Sequence, residues 1–347
     1  MINVFLTGFP GFIGKRLALK LSENKDLVFP FLIHPSQKNL AEEALKDFKG
    51  KHRMVLGDIT KTHFGLSQDL AKEIQTHTQV VFHLAAIYDL TVPKALAQQV
   101  NVWGTQNLLD FFSHSPILQR FNYISTCYVA GKEEGIVLPS RLKNTKGFHN
   151  FYESTKFEAE VIVEEKKTTM PITVFRPAIV VGDSKTGETD KFDGPYVVIR
   201  FLHKIRFFLR CVPNLGSRDC EVNTVPVDYL VSVMSYLSFE DQAVGKTYQI
   251  CDPHSPSTEE FFEEIVYMIG GLRPFKNSFL KQIILKLLRL PGVDKITGIT
   301  RQHLDYFSHQ AKFRDENLDR DLRKSGISKP PYKKFYPILY QYMKEHV

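Results

Sequence analysis

The chain has 347 residues, 43% hydrophobic and 24% charged, with 20 glycines and 18 prolines. That balance excludes a disordered or fibrous chain and is enough to bury a sizeable core, in roughly two domains. Forty-five basic against 38 acidic residues leave a net charge of +7. This mild excess suits an anionic ligand or an anionic membrane surface, and no Lys/Arg run or nucleic-acid motif accompanies it, so no nucleic-acid partner is expected.

The first apolar run, INVFLT (2–7), reads as a buried strand, so no signal peptide is expected ahead of it. TGFPGFIGKR follows (7–16), with glycines at 8, 11 and 14, and leads into a helix near 12–24. Gly8 permits the tight exit from the strand, Gly11 lets backbone N–H groups approach a pyrophosphate, and Gly14 lets helix and strand pack closely. The spacing is G-x-x-G-x-x-G, not the G-x-G-x-x-G of the usual dinucleotide fingerprint. Its place at the first strand–helix junction still favours a dinucleotide over a plain structural turn.

The second strand, VFPFLI (28–33), ends in HPSQKNL. His34, Ser36 and Lys38 stand there with no acid before Glu42, which favours the 2′-phosphate of NADP over the ribose hydroxyls of NAD, with NAD as the alternative. A helix near 38–49, strand HRMVLG (52–57), a helix near 67–77, strand VVFHLAA (80–86), a helix near 93–113 and strand FNYIST (121–126) continue the alternation. A helix near 151–167 and strand ITVFRP (172–177) complete it. Nearly uninterrupted apolar strands between helices predict an α/β fold, a doubly wound parallel sheet covered on both faces.

The pattern changes after residue 182. YVVIRFLHKIRFFLR (196–210) has helical periodicity, with Val198, Phe201, Leu202, Ile205, Phe208 and Leu209 on one face. Arg200, His203, Lys204, Arg206 and Arg210 crowd the other face, and Phe207 falls among them. VPVDYL (225–230) and KTYQICDP (246–253) read as a return to the sheet; from 257 onward the pattern is mostly helical, including the amphipathic FLKQIILKLLRL (279–290). The expected organisation is a dinucleotide-binding domain over 1–181, joined again by 221–251. A smaller, mostly helical C-terminal substrate lobe takes 182–220 and 252–347. The apolar faces of 196–210 and 279–290, edged with positive charge, are the two candidates for an acyl channel or peripheral membrane contact, beside the plainer reading as core-packing helices.

Cys127, Cys211, Cys220 and Cys251 form no CxxC pair. Free thiols, no metal site and a cytoplasmic location, membrane-peripheral at most, are the expectation. No window of about 18 residues is apolar and free of charge. The composition is compatible with a homodimer.

HNFYESTKFEAEVIV (149–163) places Tyr152 and Lys156 one helical turn apart on the same face. A phenol titrates near pH 10 and is a poor acid or base at neutrality. A neighbouring ammonium and the positive ring of an oxidised nicotinamide favour the phenolate, and lowering its pKa by about three units takes about 4 kcal/mol.

These pieces together resemble the extended short-chain dehydrogenase/reductase superfamily, which has a Rossmann fold. The matching segments are TGFPGFIG, LGDIT (56–60), HLAA (83–86), NVWGTQNLL (101–109), YISTCYVAG (123–131) and Tyr152-x-x-x-Lys156. NFYESTKFEAEVIV, FRPAIVVGDSKTGETDKFDGPY and VNTVPVDYLVSVM resemble its thioester-reductase and fatty-acyl reductase branch more than its nucleotide-sugar epimerases. The resemblance implies that Tyr152 exchanges a proton with the substrate oxygen while Lys156 holds the nicotinamide ribose. It puts the partner hydroxyl at Thr126, with Ser125 as second choice. It places Asp58 and Ile59 on the adenine, Ala85 and Ala86 along the dinucleotide, and Asn101 on a helix where it serves the cofactor or the fold. Thr7, Phe12 and Ile13 lie within the glycine turn, and Pro177 closes a strand beside the cofactor. The branch commonly carries an arginine at the end of the second strand, where this chain has His34. No adenylation or carrier domain is recognisable, so a free-standing enzyme is expected. The implied activity is NADP-dependent hydride transfer to a carbonyl or acyl-thioester carbon of an apolar fatty-acyl or sterol-like substrate. The alternatives are an NAD-dependent nucleotide-sugar epimerase or dehydratase and a non-catalytic dinucleotide-sensing scaffold.

Overall fold

Seven strands rich in Val, Ile and Phe hydrogen-bond in parallel, and successive side chains alternate between two buried faces. The computed structural model describes residues 1–88, 92–140 and 144–347. The strands in chain order are β1 (Ile2–Thr7), β2 (Leu27–Ile33), β3 (Lys51–Leu56), β4 (Val80–His83), β5 (Arg120–Ile124), β6 (Gly135–Val137) and β7 (Ile172–Pro177). They continue with β8 (Ile179–Val181), β9 (Thr224–Pro226), β10 (Thr247–Ile250) and β11 (Ala311–Phe313). The helices begin with α1 (Phe12–Leu21), α2 (Lys38–Leu45), α3 (Gln68–His77), α4 (Lys94–Ala97), α5 (Gly104–Phe112), α6 (Phe151–Lys166) and α7 (Pro195–Lys204). After them come α8 (Val227–Leu237), α9 (Thr258–Gly270), α10 (Ser278–Leu288), α11 (Val293–Thr297), α12 (Arg301–Phe307), α13 (Glu316–Asp321) and α14 (Tyr332–His346).

The main sheet runs β3-β2-β1-β4-β5-β7-β10, and every neighbouring pair is parallel. Val4, Leu6, Val80 and Phe82 join α1 and α8 in one core. Phe5, Val81, Phe121 and Tyr123 point the other way and meet α3, α5 and α6. This is the doubly wound α/β arrangement that the sequence predicts. The strand order reverses between β1 and β4, which opens a crevice at the carboxyl ends of those strands.

A third core belongs to the later chain. Tyr196, Val197, Ile199 and Leu202 of α7 pack with Phe261, Phe262 and Ile265 of α9 and with Phe335, Tyr336 and Leu339 of α14. The expected helix over 196–210 is shorter: α7 ends at Lys204 and a 3₁₀ turn follows over Arg206–Cys211. That change of pitch turns Phe208 into solvent, against the expectation that it shares the apolar face; Phe207 is exposed as its charged side required. VPVDYL also differs from expectation, since β9 pairs with β8 in a separate two-stranded sheet. KTYQI does reach the main sheet, as the edge strand β10. The helix expected over 93–113 is interrupted by a π turn at Gln98–Trp103.

The segment between β5 and α6 is tied down at several points. β6 pairs in parallel with β11, Gly135 opposite Ala311. Asn144 Nδ2 donates to the Ala130 carbonyl at 3.1 Å, and Arg176 donates to the Ser140 carbonyl at 3.1 Å.

Candidate active site

The glycine turn is built by close backbone contact. Gly8 has φ +87°, and a Cβ there would lie 2.8 Å from the Ala85 nitrogen. A Cβ at Gly11 would lie 2.9 Å from the Gly8 oxygen, and one at Gly14 would collide with the same oxygen. Gly11 caps α1 without a side-chain hydrogen bond and the first turn carries no acid, so no side chain of that turn competes for its free N–H groups. This cradle, which any side chain would fill, fits a dinucleotide pyrophosphate. Phe12 and Ile13 are half-buried against the first core, and Arg16 stacks its guanidinium 4.2 Å from the Phe12 ring centre. Replacing Gly14 by Ala is expected to weaken dinucleotide binding by about tenfold and to cost about 1–3 kcal/mol of stability through overpacking. A calorimetric titration and a urea melt measure the two; an unchanged dissociation constant would contradict the cradle.

Below the turn, a chain of buried polar groups fixes β1 against β4. The Ala85 N–H donates to Thr7 Oγ1 at 3.1 Å, and Thr7 Oγ1 lies 2.9 Å from His83 Nδ1. His83 Nε2 lies 3.0 Å from Thr105 Oγ1, which donates to the Asn101 carbonyl at 2.6 Å. Burial, aided by the charge of Lys156, lowers the His83 pKa to about 3 and keeps the ring neutral. Thr7 thus spends its side chain on the fold. Asn101 also acts structurally: its Oδ1 accepts from the Ile87 N–H at 2.9 Å and its Nδ2 donates to Thr155 at 3.0 Å. It therefore joins the stretch after β4, with Ala85 and Ala86 half-buried along it, to helix α6.

The catalytic candidates converge at the end of β5, two strands from β1 and so about 10 Å away. Thr126 is buried; its hydroxyl accepts from the Tyr128 N–H at 3.2 Å and is near enough to the Tyr152 phenol to draw the phenol's pKa down. Burial is the larger influence and, with the Glu153 charge, holds Tyr152 above its ordinary range. The Tyr152 ring also meets Tyr88 edge-on, with centroids 5.1 Å apart. Ser125, the alternative hydroxyl, is turned away: its Oγ donates to Glu160, which is ion-paired with Arg176. Adjacent strand residues point to opposite faces, so only one of the two hydroxyls can reach the phenol. Pro177 is buried beside them, and its carbonyl lies 3.5 Å from Thr126 Oγ1.

Lys156 is buried, donates to the Ile124 carbonyl at 2.8 Å and sits 4.3 Å above the Tyr123 ring centre. Burial lowers its pKa to about 7, against the opposing pull of Glu160. The unfolded chain keeps this proton up to its ordinary value, so between about pH 7 and pH 10 the unfolded state binds more protons. Stability of the cofactor-free protein should therefore rise with pH by up to about 1.4 kcal/mol per unit from this group, and fall as pH drops towards 7. Urea melts at several pH values should show a flatter dependence for Lys156→Met; identical slopes would refute the assignment.

At the other end of the crevice His34 caps a short turn, its Nδ1 2.7 Å from Ser36 Oγ. Lys38 faces Glu42 at 3.7 Å. Asp58 stands across from His34, with 4.0 Å between its Oδ2 and Nε2. Partial burial pushes the Asp58 carboxyl up, but Thr60, His34 and Lys61 outweigh it and hold the group below the usual carboxylate range. The sequence has no acid between the second strand and Glu42; the fold supplies one, Asp58, from the turn just past β3. Ile59 is buried, packed where a Cβ on Gly104 would strike it.

Residues 6–234 match the NAD-binding family described as male sterility protein. The chain belongs to that family. This male sterility family member is 28% identical over 341 residues to the L-2-aminoadipate reductase large subunit of Penicillium chrysogenum, covering 89% of this chain and 22% of that one. It is 27% identical over 283 residues to fatty acyl-CoA reductase 2 of Bos taurus, covering 67% and 55%. The chain thus spans between about a fifth and about a half of the length of these two relatives. Its fold is that of the terminal R domain from the myxalamid biosynthetic pathway (TM-score 0.82, 20% identity, 99% and 91% covered). UDP-glucuronic acid 4-epimerase from Bacillus cereus, solved with NAD, is a more distant likeness (TM-score 0.66, 19% identity, 99% of both chains). The male sterility family member is thus an extended short-chain dehydrogenase/reductase by fold, of the thioester-reductase and fatty-acyl reductase branch, with a nicotinamide dinucleotide as its cofactor.

One group of residues next to Tyr152 leaves little signature in the sequence. Glu153 is fully buried and accepts the His149 N–H at 2.8 Å and the Tyr306 hydroxyl at 2.5 Å. Asn150 caps α6 through the Glu153 N–H and donates to the same Tyr306 oxygen at 2.9 Å. His309 completes the contact by approaching the Gly131 carbonyl at 2.7 Å. The chain near 306–309 therefore holds both the catalytic helix and the segment leading to it. Only the Asn150 cap, a side chain three residues before Glu153 at a helix start, was detectable from sequence.

Proposed function

We propose that this chain is an NADP-dependent reductase acting on the carbonyl or acyl-thioester carbon of an apolar, fatty-acyl or sterol-like substrate. The observation that carries this reading is the Thr126 hydroxyl beside the Tyr152 phenol just past the carboxyl end of β5, the same end of the sheet at which the glycine cradle follows β1. A pure binding scaffold has no use for a paired proton donor. The nicotinamide dinucleotide supplies hydride when bound. Tyr152 gives its proton to the substrate oxygen as hydride reaches carbon, and Thr126 polarises that oxygen. Lys156, with a pKa of about 7, exchanges its own proton readily near neutrality and so can replenish the phenol. His34, Ser36 and Lys38 would take the 2′-phosphate, and Tyr88 would line the substrate side of the phenol.

The relatives named as aminoadipate and fatty acyl-CoA reductases support an acyl substrate. NADPH oxidation followed against acyl thioesters, aldehydes, ketosteroids and sugar nucleotides tests the reading. Turnover with an apolar thioester or aldehyde is expected; oxidation with none of the apolar compounds would overturn it. Asp58 beside His34 favours a second reading, an NAD-dependent sugar-nucleotide epimerase, because a carboxylate in that position can hold ribose hydroxyls. A tighter dissociation constant for NADH than for NADPH, with conversion of a sugar nucleotide, would support it.

A further inference from the structure

Helix α10 carries large apolar side chains on its outer as well as its inner face, which a helix at a protein surface ordinarily does not. On its inner side Ile284, Leu285 and Leu288 pack on the third core, and the Lys281 ammonium donates to the Gly216 carbonyl. On its outer side Phe279, Ile283 and Leu287, with Leu290 just past its end, are 76%, 38%, 52% and 52% exposed. At 100° per residue these four fall within one stripe opposite Leu288, and Lys286 lies along its edge. Exposed apolar residues are ordinarily scattered singly, so a continuous stripe of this size marks a contact surface.

Adjoining segments extend the same character. Ile296 on α11 is exposed just beyond the Pro291–Gly292 turn. The Arg206–Cys211 turn, which presents Phe207 and Phe208, is joined to this region: Leu209 packs against Gly270, and the Asn214 N–H donates to the Phe275 carbonyl at 2.9 Å.

The charges choose the occupant. No acidic residue occurs between Glu264 and Asp294, while Arg273, Lys276, Lys281, Lys286 and Arg289 fall in that interval. Arg273 and Lys276 are paired with Glu263 and Glu259, and Arg289 faces Asp305 at 3.4 Å in solvent. Lys286 stands closest to the stripe. A projecting apolar ridge with a cationic edge matches the headgroup boundary of an anionic bilayer, which takes Phe and Leu into its acyl region and Lys or Arg at its phosphates. Among the described residues no helix is long and apolar enough to cross a membrane, so the contact is with one face only.

We propose that α10 is a membrane-docking ridge that seats this chain on anionic lipid through Phe279, Ile283, Leu287 and Leu290. Of the two stretches with an apolar face in the sequence, α7 spends that face on the third core and α10 does not. The surface stands apart from the dinucleotide cradle, and the proposal does not rest on the reductase reading.

The test uses the full chain with vesicles of phosphatidylcholine alone or mixed with phosphatidylserine. Co-sedimentation is expected with the mixture, weak with phosphatidylcholine, and reversed by high salt. Phe279→Gln/Ile283→Gln/Leu287→Gln should lower the partition coefficient by roughly tenfold or more. Lys286→Glu should lower it by roughly tenfold while leaving the apolar stripe intact. Both variants should keep wild-type dinucleotide affinity and circular dichroism, since every altered side chain faces outward. The proposal is overturned by an absence of sedimentation with anionic vesicles, or by sedimentation that neither variant reduces. It is also overturned if the triple variant turns a dimer into a monomer by light scattering, which would make the ridge an interface between copies. Binding of the ridge to an acidic protein domain without vesicle binding would overturn it as well.

Discussion

Tyr152→Phe is expected to lower turnover by about 10²–10⁴-fold while dinucleotide affinity stays within about twofold. The substitution removes one oxygen and keeps the ring that packs edge-on against Tyr88. Thr126 would remain to polarise the substrate, but no proton would be delivered at its oxygen. The pH profile should change too. Burial holds the phenol above its ordinary range and Lys156 near 7 in the protein alone. In the reductive direction the phenol therefore starts protonated and gives up its proton only in the chemical step, and the limb of the profile due to this pair should disappear in the variant. Steady-state kinetics beside a calorimetric titration decide the matter, and an undiminished rate would remove Tyr152 from the chemistry.

The largest loss of stability is expected from Arg176→Leu. Arg176 and Glu160 are both buried, with Arg176 Nε donating to Glu160 Oε1 at 2.8 Å and Ser125 donating to the other oxygen. Removing the guanidinium strands a carboxylate beneath β5 and β7, at a cost of about 3–5 kcal/mol. That is a large share of the stability of an ordinary domain. Arg176→Leu/Glu160→Leu should recover most of it, because neither charge is then left unpaired. Urea unfolding of the two single variants and the double closes the cycle. A double variant no better than Arg176→Leu would show that packing, not charge, holds the site.

The sequence carried the sheet well because its strands are apolar runs bounded by turn residues, and continuous apolarity is what a strand buried on both faces requires. The same property hid which of Ser125 and Thr126 faces the phenol: with both faces buried, no polar alternation distinguishes them. Phe208 was misplaced because a helical period was carried past Lys204, where the chain tightens into a 3₁₀ turn. Asp58 and His34 lie 24 residues apart and meet only because β2 and β3 are neighbours. Glu153 and Tyr306 are separated by 153 residues, and β6 and β11 are three-residue strands. Pairings so short and so distant leave no periodic trace.

The contacts near Tyr306, together with the β6–β11 pairing, bear on the order in which this enzyme matures. During synthesis the early strands can assemble while the chain is still emerging from the ribosome, giving a glycine cradle able to hold a dinucleotide. Tyr306, His309 and Phe313 arrive much later, and until they do the segment carrying Tyr152 lacks its anchors. Nascent chains should therefore capture the cofactor well before they can turn over any substrate.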